Sequence, residues 1–421
     1  MGQTLSEPET SKESAFCQND YYKVGSSCMQ GWRIHMEDSH THILSLPDDP
    51  GTAFFAVYDG HGGANVAQYA GKHLHKFVTR RPEYGNDVGR ALQRAFLDID
   101  EAMLKDEALK EQMAGSTAVA VMIKDDRLYC ANAGDSRAIA CINGKLEVLS
   151  FDHKPNNATE LERIKGAGGF VEYNRVNGYL ALSRALGDFS LKRNGDKLPE
   201  EQVVTAFPDI EEREITEDWE FLVIACDGIW DVLPSQSVLE FVREEISRGV
   251  YPQNICENLM TSCLAPDCQM GGIGGDNMTV IVVCFLHGRP YEDLVNRCKE
   301  HMSELNRKVN EMFIELESNY SAEVMRAKLN EERDKAKDEE RNSDDATPAS
   351  SPESSPKPSP PASSTTTARS PQQPCQDAEP VVPAGDDSPV KTTTATTTTT
   401  KVTDGQSSPD EDESSEEVDL K

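Results

Sequence analysis

From about Tyr22 to His287, short apolar runs alternate with amphipathic stretches, the pattern of strands interleaved with helices. Ala53 to Tyr58 is a buried strand that runs straight into Asp59-Gly60-His61-Gly62-Gly63. After it, Val66, Tyr69, Ala70, His73, Leu74 and Phe77 share one face at helical spacing. Long helical patterns also cover Val88 to Gln112 and Ser235 to Ser247. Arg127 to Ala133 and Ser136 to Ile142 predict a hairpin turned at Gly134-Asp135, and Asn143-Gly144 predicts a second turn into Leu146 to Leu149. Phe221 to Cys226 and Met278 to Phe285 are further apolar strands. Meandering strands with helices at their flanks predict an α+β fold, antiparallel sheet packed on antiparallel sheet with helices outside.

Beyond Pro290 the pattern changes twice. Tyr291 to Glu340 is rich in Glu, Lys, Arg and Leu, with Leu294, Val295, Met302, Leu305 and Val309 at helical spacing. From Asn342 the chain is Ser, Thr, Pro, Asp and Glu with no aromatic residue, a composition that cannot bury enough apolar surface to offset ordering. The expected organisation is therefore an N-terminal segment (1–20), a catalytic domain (21–288), a helical extension (290–341) and a disordered acidic tail (342–421).

The chain of 421 residues carries 73 acidic and 42 basic side chains, a net charge of -31. Such a charge excludes nucleic acid and anionic lipid as partners held by bulk electrostatics. The tail contributes -10, which leaves -21 on the remainder. Eleven scattered cysteines, several inside apolar runs, indicate thiols in a reducing compartment. With no apolar stretch of membrane length and no secretory leader, the expected location is cytoplasmic, with the nucleus and weak membrane association left open.

Asp59-Gly60, Asp227-Gly228 and Asp276-Asn277 each stand at a strand end or in a glycine-rich loop, with Arg33 and Glu37-Asp38 upstream. Any one Asp-Gly reads equally well as a turn. Taken together, acid-only clusters without paired His or Cys suit hard cations, Mg²⁺ or Mn²⁺, rather than zinc.

Seven ordered runs carry a family resemblance: Met29 to Asp38, Phe54 to Gly63, Gly115 to Ala118, Ala131 to Arg137, Leu182 to Asp188, Cys226 to Asp231 and Gly275 to Thr279. They resemble, in order, the motifs of the metal-dependent protein phosphatases (protein phosphatase 2C), over about Tyr22 to Leu286. The resemblance implies a four-layered sandwich of two antiparallel sheets flanked by helices. It further implies hydrolysis of phosphoserine and phosphothreonine in proteins, by a water activated at a binuclear Mg²⁺ or Mn²⁺ site, in opposition to kinase signalling.

Carried over by motif, Asp59, Asp227 and Asp276 are implied as ligands of a first ion. Asp59, Glu37 and the Gly60 carbonyl are implied for a second, and Asp135 with Asp227 for a weaker third. Asp135 also reads as a turn residue capping its own backbone. Asp38 is implied to orient the water, Arg33 to clamp the phosphate and His61 to act as general acid. The implied partners are phosphorylated proteins, kinases among them, acted on by a monomer. Residues from about Pro155 to Pro199 resemble the family's flap beside the site, made mobile by Gly166, Gly168 and Gly169.

Two peripheral signals remain. Met1 to Ser6 fits N-myristoylation of Gly2, the one route to membrane contact, and seven Ser/Thr-Pro pairs between Thr347 and Ser408 are expected targets of proline-directed kinases.

Overall fold

Ala53–Tyr58 is apolar at every position because both of its faces are covered. Phe55 and Val57 pack with Leu222, Ile224 and Ile281, while Phe54, Ala56 and Tyr58 pack with Ala70, Leu74 and Phe96. That alternation places the strand between a second sheet on one side and helices on the other.

The computed structural model describes residues 4–267 and 273–304, with Arg307, Met312 and Arg326. The elements begin with β1 (Thr4–Gln18), β2 (Tyr22–Arg33), β3 (Ser39–Ile43), β4 (Ala53–Tyr58), β5 (Gly60–His61), α1 (Asn65–Thr79) and α2 (Val88–Lys105). Next come β6 (Gly115–Ser116), β7 (Ala118–Lys124), β8 (Arg127–Ala133), β9 (Arg137–Ile142), β10 (Lys145–Val148), α3 (Ala158–Gly166), β11 (Val171–Glu172), β12 (Arg175–Val176) and β13 (Leu186–Gly187). Last are β14 (Asp209–Glu214), β15 (Trp219–Ala225), α4 (Asp227–Trp230), α5 (Ser235–Ser247), α6 (Pro252–Cys263), β16 (Met278–Phe285) and α7 (291–304).

Two antiparallel sheets form the centre, one ordered β1-β2-β16-β15-β9-β10 and the other β14-β8-β7-β4-β3. Their facing sides share one core, to which Val24, Val121, Cys130, Ala140 and Val283 also contribute. A second core lies between the five-stranded sheet and α1 and α2, and a third between the six-stranded sheet and α5, α6 and α7. The α+β fold with four layers is thus as expected.

Several expectations need correction. β8 and β9 are not a hairpin: β8 pairs with β7 and β14, and β9 with β15 and β10. Both edges of each strand are taken, so 134–136 carries the chain from one sheet to the other, helped by Gly134 at φ 127°. The second turn is a hairpin, with Asn143 and Gly144 both left-handed between β9 and β10.

Nor do the described residues of the N-terminal segment stand apart from the domain, since Thr4–Gln18 pairs along β2 as the edge of the six-stranded sheet. Its polar sequence suits an edge, where only the backbone needs a partner. Finally, α7 belongs to the catalytic domain's outer layer: Tyr291, Leu294, Val295 and Cys298 are buried in the third core. The rest of the expected helical extension, and the whole tail, lie outside the described residues, as does Gly2.

α2 stops at Lys105 rather than Gln112 because Asp106 turns extended and accepts a hydrogen bond from the Ala108 N–H at 2.8 Å. The flap region is more than a glycine-softened loop. Ile164, Val176, Ala185, Leu191 and Val204 give it a small core of its own. Its glycines close α3: Gly168 is left-handed and the Gly169 N–H reaches the Ile164 carbonyl at 2.8 Å. Beneath it Glu160, almost wholly buried, accepts from Arg163, Ser183 and Arg184 at 2.6–3.1 Å.

Candidate active site

Both sheets deliver carboxylates to one end of the sandwich. β4 runs straight into Asp59 and β15 leads through Cys226 into Asp227, while Asp276 stands two residues before the start of β16. β2 ends at Arg33, and Glu37 and Asp38 lie in the crossing from β2 to β3. A cavity of about 320 Å³ is lined by Arg33, Glu37, Asp59, Gly60, His61, Asp135, Asp227 and Asp276. Asp38 sits just behind, with a carboxylate oxygen within 4.8 Å of one on Asp59.

Local packing explains why these loops hold their shape. A Cβ on Gly60 would fall 2.2 Å from the Glu37 carbonyl oxygen, so only glycine lets the two loops touch. Thr117 Oγ1 accepts from the Asp59 N–H at 3.1 Å, and the Thr117 N–H donates to the Asp59 carbonyl at 2.9 Å. Asn277 accepts from the Glu37 N–H at 3.0 Å and donates to the Gln30 and His35 carbonyls at 2.8 and 3.0 Å. Thr117, Asn277 and Thr279 lie inside the quoted motifs, yet nothing local in the sequence gave them a role.

The electrostatics are those of crowded like charges. Burial, then Asp227, Asp38, Asp135 and Asp276, hold the Asp59 carboxyl well above the usual range. Burial, then Asp135, Asp276 and Asp231, do the same to Asp227. Burial pushes Asp38 up to about 7 against the opposing hydrogen bond from Thr279. Thr279 Oγ1 donates to Asp38 Oδ2 at 2.7 Å, while Asp38 Oδ1, also buried, has no protein partner.

Two cations of the protein already answer part of this charge: Arg33 pairs with Asp276, and Lys154 with the buried Asp135. Burial opposes the charge on Lys154, but Asp135, Asp231 and Asp227 outweigh it and raise its pKa. Sequence reasoning missed Lys154 because no motif contains it.

Burial and then Asp38, Asp59 and Asp227 drive the neighbouring Cys226 thiol well up, so it stays protonated, accepting from the Thr279 N–H at 3.1 Å. Its Sγ donates to the Asn277 carbonyl at 3.5 Å and does not line the cavity, so the donors facing it are carboxylate and carbonyl oxygens. With the orphaned Asp38 oxygen, that set fits hard divalent cations such as Mg²⁺ or Mn²⁺.

His61 lines the same cavity and its Nε2 lies 2.8 Å from Asp188 Oδ2. Burial alone would lower its pKa, but the Asp188 charge and hydrogen bond outweigh it and hold the imidazole above its ordinary value. Opposite, the flap contributes Arg175, Tyr179 and Leu180–Leu182 to the rim.

The protein phosphatase 2C family model matches residues 22–272. A probable protein phosphatase 2C of Caenorhabditis elegans is 58% identical over 299 residues, covering 71% of this chain and 84% of that protein. Protein phosphatase 2C homolog 2 of Schizosaccharomyces pombe is 49% identical over 303 residues, covering 70% and 82%. Among solved structures, a phosphatase from a pathogenic strain of Toxoplasma gondii is similar at 27% identity with a TM-score of 0.57, covering 65% of this chain and 96% of that one. On fold, motifs and relatives together, the chain belongs to the protein phosphatase 2C family and is a protein serine/threonine phosphatase, a hydrolase.

Proposed function

We propose that the enzyme hydrolyses phosphoserine and phosphothreonine through two divalent cations, Mg²⁺ or Mn²⁺, held by Asp59, Asp227, Asp276, Glu37 and the Gly60 carbonyl. The observation that carries this reading is the convergence of those groups with Arg33 and His61 on one cavity. When bound, such ions offset the dianionic charge of the phosphate and acidify water to a competent nucleophile.

The chain's own residues do the rest. Arg33, braced by Asp276, presents a planar guanidinium fork to two phosphate oxygens. Asp38, fixed by Thr279 through one oxygen, has the other free to accept a hydrogen bond from the attacking water. His61 gives a proton to the serine or threonine oxygen as the P–O bond breaks, a step worth about 10²- to 10⁴-fold. Asp135 takes part in a weaker third cation site only when Lys154 swings away from it.

By removing phosphates that kinases install, the enzyme acts against kinase signalling on phosphoprotein partners, kinases included. We place it in the cytoplasm as a monomer, with weak membrane contact through a Gly2 acyl chain. Turnover of a phosphothreonine peptide, measured after chelation and again after adding Mn²⁺, tests the central reading. Metal-dependent hydrolysis is expected; purified protein that stays inactive with Mn²⁺ overturns it.

A further inference from the structure

The partner of His61 comes from the flap side of the cavity, and it is placed with unusual care. β5, β6 and β13 are two residues long each and form a small sheet ordered β13-β6-β5. Its register sets His61 opposite Gly115 and Gly115 opposite Gly187, so Asp188 emerges beside the His61 ring. A Cβ on Gly115 would lie 2.2 Å from Asp188 Oδ2 and 2.6 Å from His61 Nε2. The histidine and aspartate thus meet across a position that tolerates no side chain.

Asp188 itself is left-handed at φ 48°, a conformation that costs an L-residue about 1 kcal/mol and persists only where its surroundings enforce it. The enforcement is visible. The Asp188 N–H donates to the Ala114 carbonyl at 2.9 Å. One residue earlier, the Gly187 N–H donates at 2.7 Å to Asp100 of α2, and Lys192 clasps both Asp100 oxygens at 2.8 Å. Side chains of both Asp100 and Lys192 are largely buried.

We infer that Asp188 is a positioning residue for the general acid: it takes the His61 Nε2–H and so presents Nδ1 to the leaving oxygen, while the Asp100–Lys192 pair fixes the turn that carries it. The inference rests on the proposed role of His61. In the step itself, the oxygen of water bonds to phosphorus and one of its protons goes to solvent, while the bond to the serine or threonine oxygen breaks and that oxygen takes the proton from Nδ1. The ring is left neutral with Nε2–H still on Asp188, and water later restores the Nδ1 proton. A neutral amide at position 188 keeps the backbone, since Asn accepts left-handed geometry, but removes the charge and permits the wrong tautomer.

The test is a comparison of leaving groups at saturating Mn²⁺. Asp188→Asn is expected to lower kcat on a phosphoserine peptide by about 30- to 100-fold and on p-nitrophenyl phosphate by less than about 3-fold, with KM unchanged, because the aryl oxide needs little protonation. Gly115→Ala, whose methyl would push the two side chains apart while leaving both groups chemically unchanged, should show the same selectivity. Adding Asp188→Asn to His61→Gln should cost no more than His61→Gln alone, as for residues acting as one unit.

Equal loss on both substrates, no loss on either, or additivity in the double variant overturns the inference. If His61→Gln is selective for the alkyl substrate and Asp188→Asn is not, the positioning role alone falls. If His61→Gln is itself unselective, the general-acid role falls with it. Wild-type protein inactive on both substrates with Mn²⁺ refutes the phosphatase chemistry beneath them.

Discussion

Two groups of inward-facing carboxylates lie within this one domain, and their surroundings treat them in opposite ways. Around Asp59, Asp227 and Asp38, burial and neighbouring acids drive each carboxyl above its usual range. Glu160, although less than 2% exposed, sits between two guanidiniums and a hydroxyl that override burial and bring it down to about 2. Depth is shared by the two sites. What separates them is who faces the charge: Glu160 is fully answered by the chain itself, whereas the cavity acids are answered only in part, by Arg33 and Lys154. A buried acid therefore signals chemistry only where its own protein leaves it unanswered.

The sharpest way to break this contrast is to remove one acid from the crowded cavity. Asp227→Asn or Asp276→Ala should lower metal-dependent turnover by at least about 10³-fold while the metal-free protein melts no lower than wild type, because a repulsion disappears along with the ligand. Calorimetry after chelation, beside a phosphopeptide assay, checks both halves. A cooperative fold lost in either variant would show that the acids hold the structure together.

The answered acid should behave in reverse. Glu160→Gln leaves Arg163 and Arg184 without their shared anion and should cost about 3 kcal/mol at pH 7. Its folded pKa lies below the ordinary 4.5, so the carboxylate's contribution is complete above about 4.5 and is lost as pH falls towards about 2. The stability gap between wild type and variant should accordingly be widest near neutrality and close across that window, as read by urea unfolding at several pH values. A gap independent of pH would mean that packing, not charge, sets it.

Lys154 stands between the two cases, an ammonium paired with Asp135 of the cavity. Lys154→Met should lower metal-free stability by about 1 to 3 kcal/mol, since Asp135 is then buried unpaired. Added Mn²⁺ should recover most of it. Melting with and without Mn²⁺ measures this, and an equal deficit in both conditions would count against it.

The smallest effect is expected from the tail. Ending the chain after Arg341 removes a net charge of -10 from a protein whose remainder carries -21. Two bodies of the same sign repel, so turnover of p-nitrophenyl phosphate should change by less than about 2-fold, with or without phosphate on the Ser-Pro sites. A several-fold change would place the tail at the active site.

Much of this was legible in the sequence, for reasons that differ by element. The apolar run at 53–58 and the helical face of α1 carry their own periodicity, and Asp59, Asp227 and Asp276, which line the cavity, stand beside glycines near strand ends, where a backbone must come close to something. β1 was not legible: an edge strand needs no apolar face, and Thr4–Gln18 has almost none. The false hairpin at Gly134-Asp135 had correct local turn chemistry, but a turn signal cannot report that both strand edges are already taken. Glu160, Lys154 and Asp188 escaped for a common reason. Their partners lie 3 to 127 positions away, and their meaning exists only once the chain has brought them together.

The crossing at 134–136 also governs how this protein can change length. Ala133 and Arg137 are four Cα steps apart, about 14 Å at full stretch, against a spacing of about 10 Å between packed sheets. The slack is about 4 Å, little more than the length of one residue, and Asp135 rides on the bridge. An extra residue there would shift β9 by one place and turn its core side chains outward. Loops are ordinarily where insertions accumulate, and 47–51, mostly exposed and joining two neighbouring strands of one sheet, can accept them. In a lineage of such enzymes, length should therefore drift freely at turns like that one and stand still at this three-residue bridge.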